Sequence, residues 1–301
     1  LITTNQRLEM WVDSRVSLLT QVARNTELIA AIDGLLRINV NPDALTQSEE
    51  LATTRLVLAQ YREELELGFF IINREGISVG SARDNNIGIQ NLIADQRPKL
   101  LERVFAGEAV FVPSIYSDVV IGDKDIAHSI SIFIAVPIKR KDGKVIAALT
   151  MRLDPAQGFT RVMQLSRVGE SGESYAFDQN GTLLSGSRFE DDLRQIGLLG
   201  EGESSIMNIQ IRDPGVNLTQ GFRSDVPRKQ QAMTLMADSA IASKVNSRNQ
   251  QSPVQSNLIG YGDYRGVPVF GAWLWNGNLG IGLTSEIDVD EALSTYLTVQ
   301  Q

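Results

Sequence analysis

Two stretches of the chain occur twice, in order, and this duplication limits the possible folds more than any other feature. The run from Phe70 to Arg83 (FIINREGISVGSAR) returns, imperfectly, as Tyr175 to Arg188 (YAFDQNGTLLSGSR), 105 residues later. The run from Gly143 to Asp154 (GKVIAALTMRLD) returns as Gly277 to Asp288 (GNLGIGLTSEID), 134 residues later. A period of this length is too long for a solenoid and reads as two tandem copies of one lobe. The second copy carries an insertion between its halves.

The 301 residues suffice for two domain-sized cores. With 43% hydrophobic and 21% charged residues, the composition is that of a folded globular chain rather than a disordered one. The net charge of −8 and the scattered Lys and Arg residues offer no basic stripe, so nucleic acid is excluded as a partner. No cysteine is present, which removes disulfides, thiolate metal sites and thiol catalysis. The longest apolar runs fall far short of the ~18 residues of a membrane span. Without a Met start or a leader pattern, the chain reads as a mature or excised piece, with any membrane segments outside it.

Residues 1 to 36 read as one long amphipathic helix, with Leu8, Trp11, Val12, Leu18, Leu19, Val22, Leu28 and Ile29 at three- to four-residue spacing. Heptad positions Leu1, Leu8, Val22 and Ile29 are apolar and Arg15 interrupts them, so a homodimer contact along this helix is expected. Thr46 to Glu49 has the capping-box pattern of a second helix. The pattern then changes to short strands joined by Gly-containing turns, at Gly76, Gly143 and Gly181. Helices are expected near 97–106, after Asp154-Pro155, after Ser187 and near 231–245, and strands near 109–120, 129–138, 144–153, 205–211, 257–264, 267–275 and 279–287. Residues 247–255 read as an irregular polar loop. The resulting class is α+β: a helical N-terminal segment and two lobes, each an antiparallel sheet flanked by helices. The expected divisions are 1–67 for the helical stalk, 68–155 for a distal lobe, 156–288 for a proximal lobe and 289–301 for an exit helix.

Long helix, hairpin, strand trio, repeated lobe and exit helix behind an Asp together resemble the double Cache family, PAS-like sensor modules of bacterial transmembrane receptors. The stretches Gly169 to Gly181 (GESGESYAFDQNG) and Gly260 to Trp273 (GYGDYRGVPVFGAW) carry the resemblance most specifically, and it covers essentially the whole chain. It implies an extracytoplasmic, periplasmic sensor between two membrane-spanning helices, driving a cytoplasmic module: foremost a histidine kinase of a two-component system, or else a cyclase or chemotaxis module. One departure stands out. Amino-acid-sensing members carry a Tyr, Arg, Trp-Tyr set in the distal lobe and an Asp on its last strand; the set is not found here, and Arg152 stands about where the Asp would be. The alternative is a secreted solute-binding or adhesion protein with no membrane anchor.

Catalytic residues are not expected. The single histidine, His128, has no partner for a relay or metal cluster, and no nucleophile elbow, Walker loop or dinucleotide fingerprint occurs. Asp123 and Asp125 lack the glycine and closing Glu of a calcium loop, so no metal and no cofactor are expected.

Strand alternation places a ligand site instead. Ile130, Ile132, Ile134, Val136 and Ile138 form one aliphatic face, while Ser129, Ser131, Phe133 and Ala135 form the other. The next strand puts Thr150 and Arg152 with the smaller set. The expected pocket lies on that face of the distal lobe: Ser131, Phe133, Thr150 and Arg152, with Ser114, Tyr116 and Asp118 from the preceding strand and Arg83 and Asn85 at the rim. Arg152 is the expected charge anchor, suited to a small organic anion through bidentate hydrogen bonds to a carboxylate. The matching face of the second lobe, around Tyr264, Trp273 and Thr284, is the alternative location.

Overall fold

The computed structural model describes residues 1–65, 67–121, 124–165, 167–244 and 251–299, and the side chains of all of these except 118–121, 124–128 and 295–299. Two compact units emerge, one of residues 10–154 and one of residues 1–9 with 155–301. No described helix is long and apolar enough to cross a membrane.

The N-terminal segment is two helices rather than one. α1 (Ile2–Val22) stops before α2 (Thr26–Leu35) because Asn25 accepts hydrogen bonds from the backbone N–H groups of Glu27 and Leu28, starting a new helix. α3 (Pro42–Thr46) follows, and α4 (Glu49–Leu58) is capped by Ser48, not by Thr46. Leu8, Val12, Leu19 and Val22 are buried within the chain, so the apolar heptad positions of α1 are already covered. The homodimer contact expected along Leu8 and Val22 is therefore corrected: those side chains are not available to a second copy.

In the unit of residues 10–154, β1 (Phe69–Ile72) and β2 (Ser78–Ser81) form the first hairpin. The Asn73 side chain accepts from Ile77 N–H, and Gly76 takes a φ of +81°, which a side chain would resist. α5 (Leu92–Gln96) and α6 (Pro98–Phe105) precede β3 (Val110–Ile121), β4 (Lys124–Lys139) and β5 (Val145–Leu153). All five strands pair antiparallel in the order β2-β1-β5-β4-β3. One face buries Phe70, Ile72, Val112, Phe133, Ala135 and Ala148 against Ile93, Leu101 and Val104 of α5 and α6. The other face is buried too, with Ile132, Ile134, Val136 and Ile138 fully enclosed.

The second unit repeats the plan with one strand fewer. After α7 (Thr160–Gln164) and β6 (Glu173–Phe177), the turn reuses the first lobe's chemistry: Asp178 accepts from Asn180 and Thr182 N–H, and Gly181 has a φ of +70°. The return arm makes only isolated bridges, since Ala176 N–H donates to the Ser185 hydroxyl where a ladder carbonyl would stand. The segment expected as a strand near 205–211 likewise makes a single bridge. α8 (Glu190–Gln195), α9 (Leu235–Ala242), β7 (Gln255–Gly262), β8 (Pro268–Asn276), β9 (Ile281–Asp288) and α10 (Val289–Val299) complete the chain, and the sheet order is β6-β9-β8-β7. The expected α+β class with two antiparallel sheets and flanking helices is observed.

Candidate functional site

Register decides which residues of the first lobe share a face. Phe133 stands opposite Arg152, and Ala135 opposite Thr150, so these four lie together as alternation requires. Between β3 and β4 the pairing moves from Val112–Phe133 to Ile115–Ser131, three residues on one strand against two on the other. This bulge holds Pro113, which lacks the N–H a regular ladder needs. Its consequence is a change of phase: Ile115 and Ser117 join the Arg152 face, while Tyr116 falls opposite Ile130 on the other face. The placement of Tyr116 beside Arg152 is thereby corrected. Tyr116 is 40% exposed, and its backbone is held by the Gln96 side chain.

Arg152 is 5% exposed. Its Nε donates to the Ser131 hydroxyl at 2.8 Å, and its Nη2 donates to the Ser117 hydroxyl at 2.7 Å and the Ser129 hydroxyl at 3.2 Å. Nη1 has no hydrogen-bond acceptor among the described residues, and no carboxylate among them lies within ion-pair distance. Burial first, with the charge of Arg83, lowers the guanidinium pKa to about 10, while Asp154 acts the other way. The group therefore stays charged at neutral pH, a buried cation held by neutral hydroxyls.

The remaining expected residues are scattered. Thr150 is buried and its hydroxyl accepts from Phe70 N–H; Phe133 is fully buried in the apolar core, 5.9 Å from the Phe70 ring. Ser114 is buried at the bulge, Arg83 is half-buried just past the hairpin, and Asn85 is exposed. The side chains of Asp118, Asp125 and His128 lie outside the described residues, as do Asp123 and residues 247–250 of the 247–255 loop. Ser117 and Ser129 were missed as members of the site. Pro113, inside a run that otherwise reads as a strand, was the signal for the phase change that brings in Ser117. A separate cleft of about 560 Å³ lies between the β1–β2 turn and α5–α6, lined by Arg74, Gln90, Ala94, Leu101, Glu102 and Phe105 among others.

The corresponding face of the second lobe is closed by a polar network. Glu173 on β6 stands directly opposite Glu286 on β9. Glu286 accepts from the Tyr175 hydroxyl at 2.7 Å and the Tyr261 hydroxyl at 2.6 Å. Glu173 accepts from the Tyr264 hydroxyl at 2.7 Å, the Ser187 hydroxyl at 2.9 Å and Arg188 N–H at 2.6 Å. Burial pushes the Glu286 carboxyl up to about 8, with the negative charge of Asp263 adding to it, and burial raises Glu173 as well. Trp273 packs edge-on against Tyr261, and Thr284 donates to the Ala272 carbonyl. Among the described residues, no group of three or more His, Asp or Glu side chains is arranged to hold a metal ion.

No family model and no curated protein matches the sequence. Solved structures do. The sensor domain of the Vibrio cholerae histidine kinase DctB is 13% identical, with a TM-score of 0.48 over 94% of this chain and 95% of that one. The ligand-binding domain of the Pseudomonas aeruginosa amino acid chemoreceptor PctB, in complex with L-Arg, is 13% identical, with a TM-score of 0.42 over 96% and 94%. The extracellular domain of the putative histidine kinase mmHK1S-Z3 is 12% identical, with a TM-score of 0.44 over 99% and 98%. Over nearly its whole length, the chain is similar to a histidine kinase sensor domain, the extracellular domain of a putative histidine kinase and the ligand-binding domain of a chemoreceptor.

Proposed function

We propose that this chain is the extracytoplasmic ligand-sensing domain of a bacterial receptor, and that its distal lobe receives a small organic anion at Arg152. The observation that carries this reading is the state of the Arg152 side chain. Enclosing a guanidinium is costly unless a counter-charge accompanies it. Among the described residues three serine hydroxyls accept from it, one terminal nitrogen has no acceptor, and Arg83 adds positive charge nearby. A carboxylate reaching Nη1 would supply both the missing charge and the missing acceptor. Ser117, Ser129 and Ser131 hold the fork in place, and Arg83 and Asn85 form the rim. In this reading the parent protein places the domain between two membrane-spanning helices, works as a homodimer through a surface other than Leu8 and Val22, and passes the signal to a histidine kinase.

The test is a thermal-shift screen of C2 to C6 mono- and dicarboxylates, followed by calorimetry on wild type, Arg152→Ala and Ser117→Ala. A ligand at 100 times its dissociation constant adds about 2.7 kcal/mol to stability. Loss of the charge-assisted bond in Arg152→Ala should cost about 1.5–3 kcal/mol, roughly 10- to 150-fold in affinity. Equal binding by wild type and Arg152→Ala moves the site, with Arg74→Ala then testing the cleft beside α5 and α6.

A further inference from the structure

The proximal lobe contains a feature that ligand binding at Arg152 leaves unused: a carboxyl with no cation, buried on the strand that leads into the last helix. Glu286 is 6% exposed. Both its oxygens accept from neutral tyrosine hydroxyls, and no Lys, Arg or His among the described residues lies within ion-pair distance. The ionisable groups around it come from every neighbouring element. β6 presents Glu173 and Tyr175, β7 presents Tyr261, and the β7–β8 turn presents Asp263, Tyr264 and Arg265. β8 places only Gly271 opposite it. Asp288 follows on its own strand, and Asp192 of α8 and Arg228 reach the periphery through Arg265 and the Tyr264 carbonyl.

Two residues beyond Glu286, the base of α10 is tied down. Asp288 pairs with Arg265 at 3.0 Å, and Asp288 N–H donates to the Ser171 hydroxyl at 3.1 Å. Glu291, in the first turn of α10, accepts from the N–H groups of Glu170 and Ser171 and from the Ser171 hydroxyl. Arg265 is shared: its Nε also pairs with Asp263 at 2.7 Å, and its guanidinium stacks 3.5 Å from the Phe189 ring centre. One guanidinium therefore serves Asp263 and Asp288 closely and Asp192 at 4.0 Å, so the carboxylates already outnumber it, and an ionised Glu286 would add a further negative charge.

We propose that Glu286 is a proton-operated latch: protonated, it leaves Arg265 to hold Asp288 and the base of α10, and ionised, it loosens that hold. Losing its proton places a new charge beside Asp263 and opposite Glu173, in a core where two tyrosine hydroxyls are its donors among the described residues. Repulsion falls on Asp263, the carboxylate paired with Nε of Arg265, and a shift of that pair draws on the Asp288 contact that the same guanidinium makes. The lobe thus couples external pH to the helix that leaves it. The inference does not depend on a ligand at Arg152.

The chain has no cysteine, so Leu293→Cys, at a half-exposed site in α10, takes a single nitroxide label. The 301-residue chain is followed by electron paramagnetic resonance from pH 6 to pH 9.5. The latch requires label mobility to rise through a midpoint near pH 8, where Glu286 titrates. Glu286→Gln should remove that transition. Tyr261→Phe, which takes away one donor to the ionised form, should move it to higher pH, and this variant decides the matter if Glu286→Gln does not fold. A spectrum constant over this range, or a midpoint unchanged in Glu286→Gln and Tyr261→Phe, overturns the proposal.

Discussion

Arg152 and Glu286 occupy the same position of the repeat, on the last strand of each sheet, and both are buried with opposite formal charge and no ion-pair partner among the described residues. Three serine hydroxyls accept from the first, and two tyrosine hydroxyls donate to the second. Hydroxyls serve either sign because each is both donor and acceptor. Duplication kept the backbone position and reversed the charge. The cation stays ionised at neutral pH, whereas the carboxyl retains its proton until about pH 8. One lobe is thus suited to meet an anion, the other to respond to a proton.

Removing the charge at Arg152 should cost less than breaking a buried ion pair. Among the described residues no carboxylate is stranded by Arg152→Ala; what is lost are the hydrogen bonds to Ser117, Ser129 and Ser131 and the packing of the side-chain stem. The expected loss is about 1–3 kcal/mol in urea unfolding, below the ~3–5 kcal/mol of a severed buried pair. Arg152→Met, which restores the stem, should recover part of it. A Met variant no more stable than the Ala variant would mean that the hydrogen bonds, not the stem, account for the loss.

The pH dependence of stability follows from Glu286. Its folded pKa, about 8, lies above the ordinary value of 4.5. Below about pH 4.5 both states hold the proton; between there and about pH 8 the folded state keeps it and the unfolded state does not. Stability contributed by this group therefore falls as pH rises through that window and levels off above it. Glu173, Asp263 and Asp288 are raised by burial and act in the same direction. Melting temperature should decline from pH 5.5 to pH 8.5, and Glu286→Gln should flatten the decline. A melting temperature that rises over this range would contradict it.

α1 supplies a contrast between two positions two residues apart. Leu8 is fully buried and Met10 is 71% exposed. Leu8→Ala should cost about 2–5 kcal/mol, the range for a large-to-small change in a core. Met10→Ala should stay within about 0.5 kcal/mol. Chemical denaturation of both variants reads the difference, and near-neutral behaviour at Leu8 would place that face of α1 outside the core.

Most of the architecture was legible because it depends on local, periodic signals. The duplicated hairpins are visible through Gly76 and Gly181, with Asn73 and Asp178 repeating the turn chemistry. The break at Asn25 escaped the periodicity because the apolar spacing runs through it, and only the capping side chain ends α1. The site was less legible for a different reason. Alternation assumes an unbroken ladder, and the bulge at Pro113 reversed the phase of Ile115 to Ser117 on β3. Reading a small, polar face as an open pocket also failed at Phe133 and Ala135, which α5 and α6 cover with Ile93, Leu101 and Val104. Which helix covers which face is a long-range outcome that no local pattern encodes.

Gly271 permits the contact on which the second lobe's polar network depends. It stands opposite Glu286, and a Cβ built on it would lie 2.0 Å from the Tyr261 hydroxyl oxygen and 3.0 Å from the ring carbon bearing it. Only glycine lets that hydroxyl cross the strand to reach Glu286. Gly271→Ala should displace Tyr261, leave one Glu286 oxygen without its donor and cost about 1–3 kcal/mol. Tyr261→Phe removes the colliding oxygen together with the hydrogen bond, so the alanine should do far less harm in that background. Urea unfolding of wild type, both single variants and the double variant measures the coupling. The two changes should be non-additive by about 0.5–3 kcal/mol, the double variant being more stable than the sum of the single losses requires. Simple additivity would separate Gly271 from the hydroxyl and leave its role to the adjoining Glu286 stem, 3.1 Å from the same built Cβ.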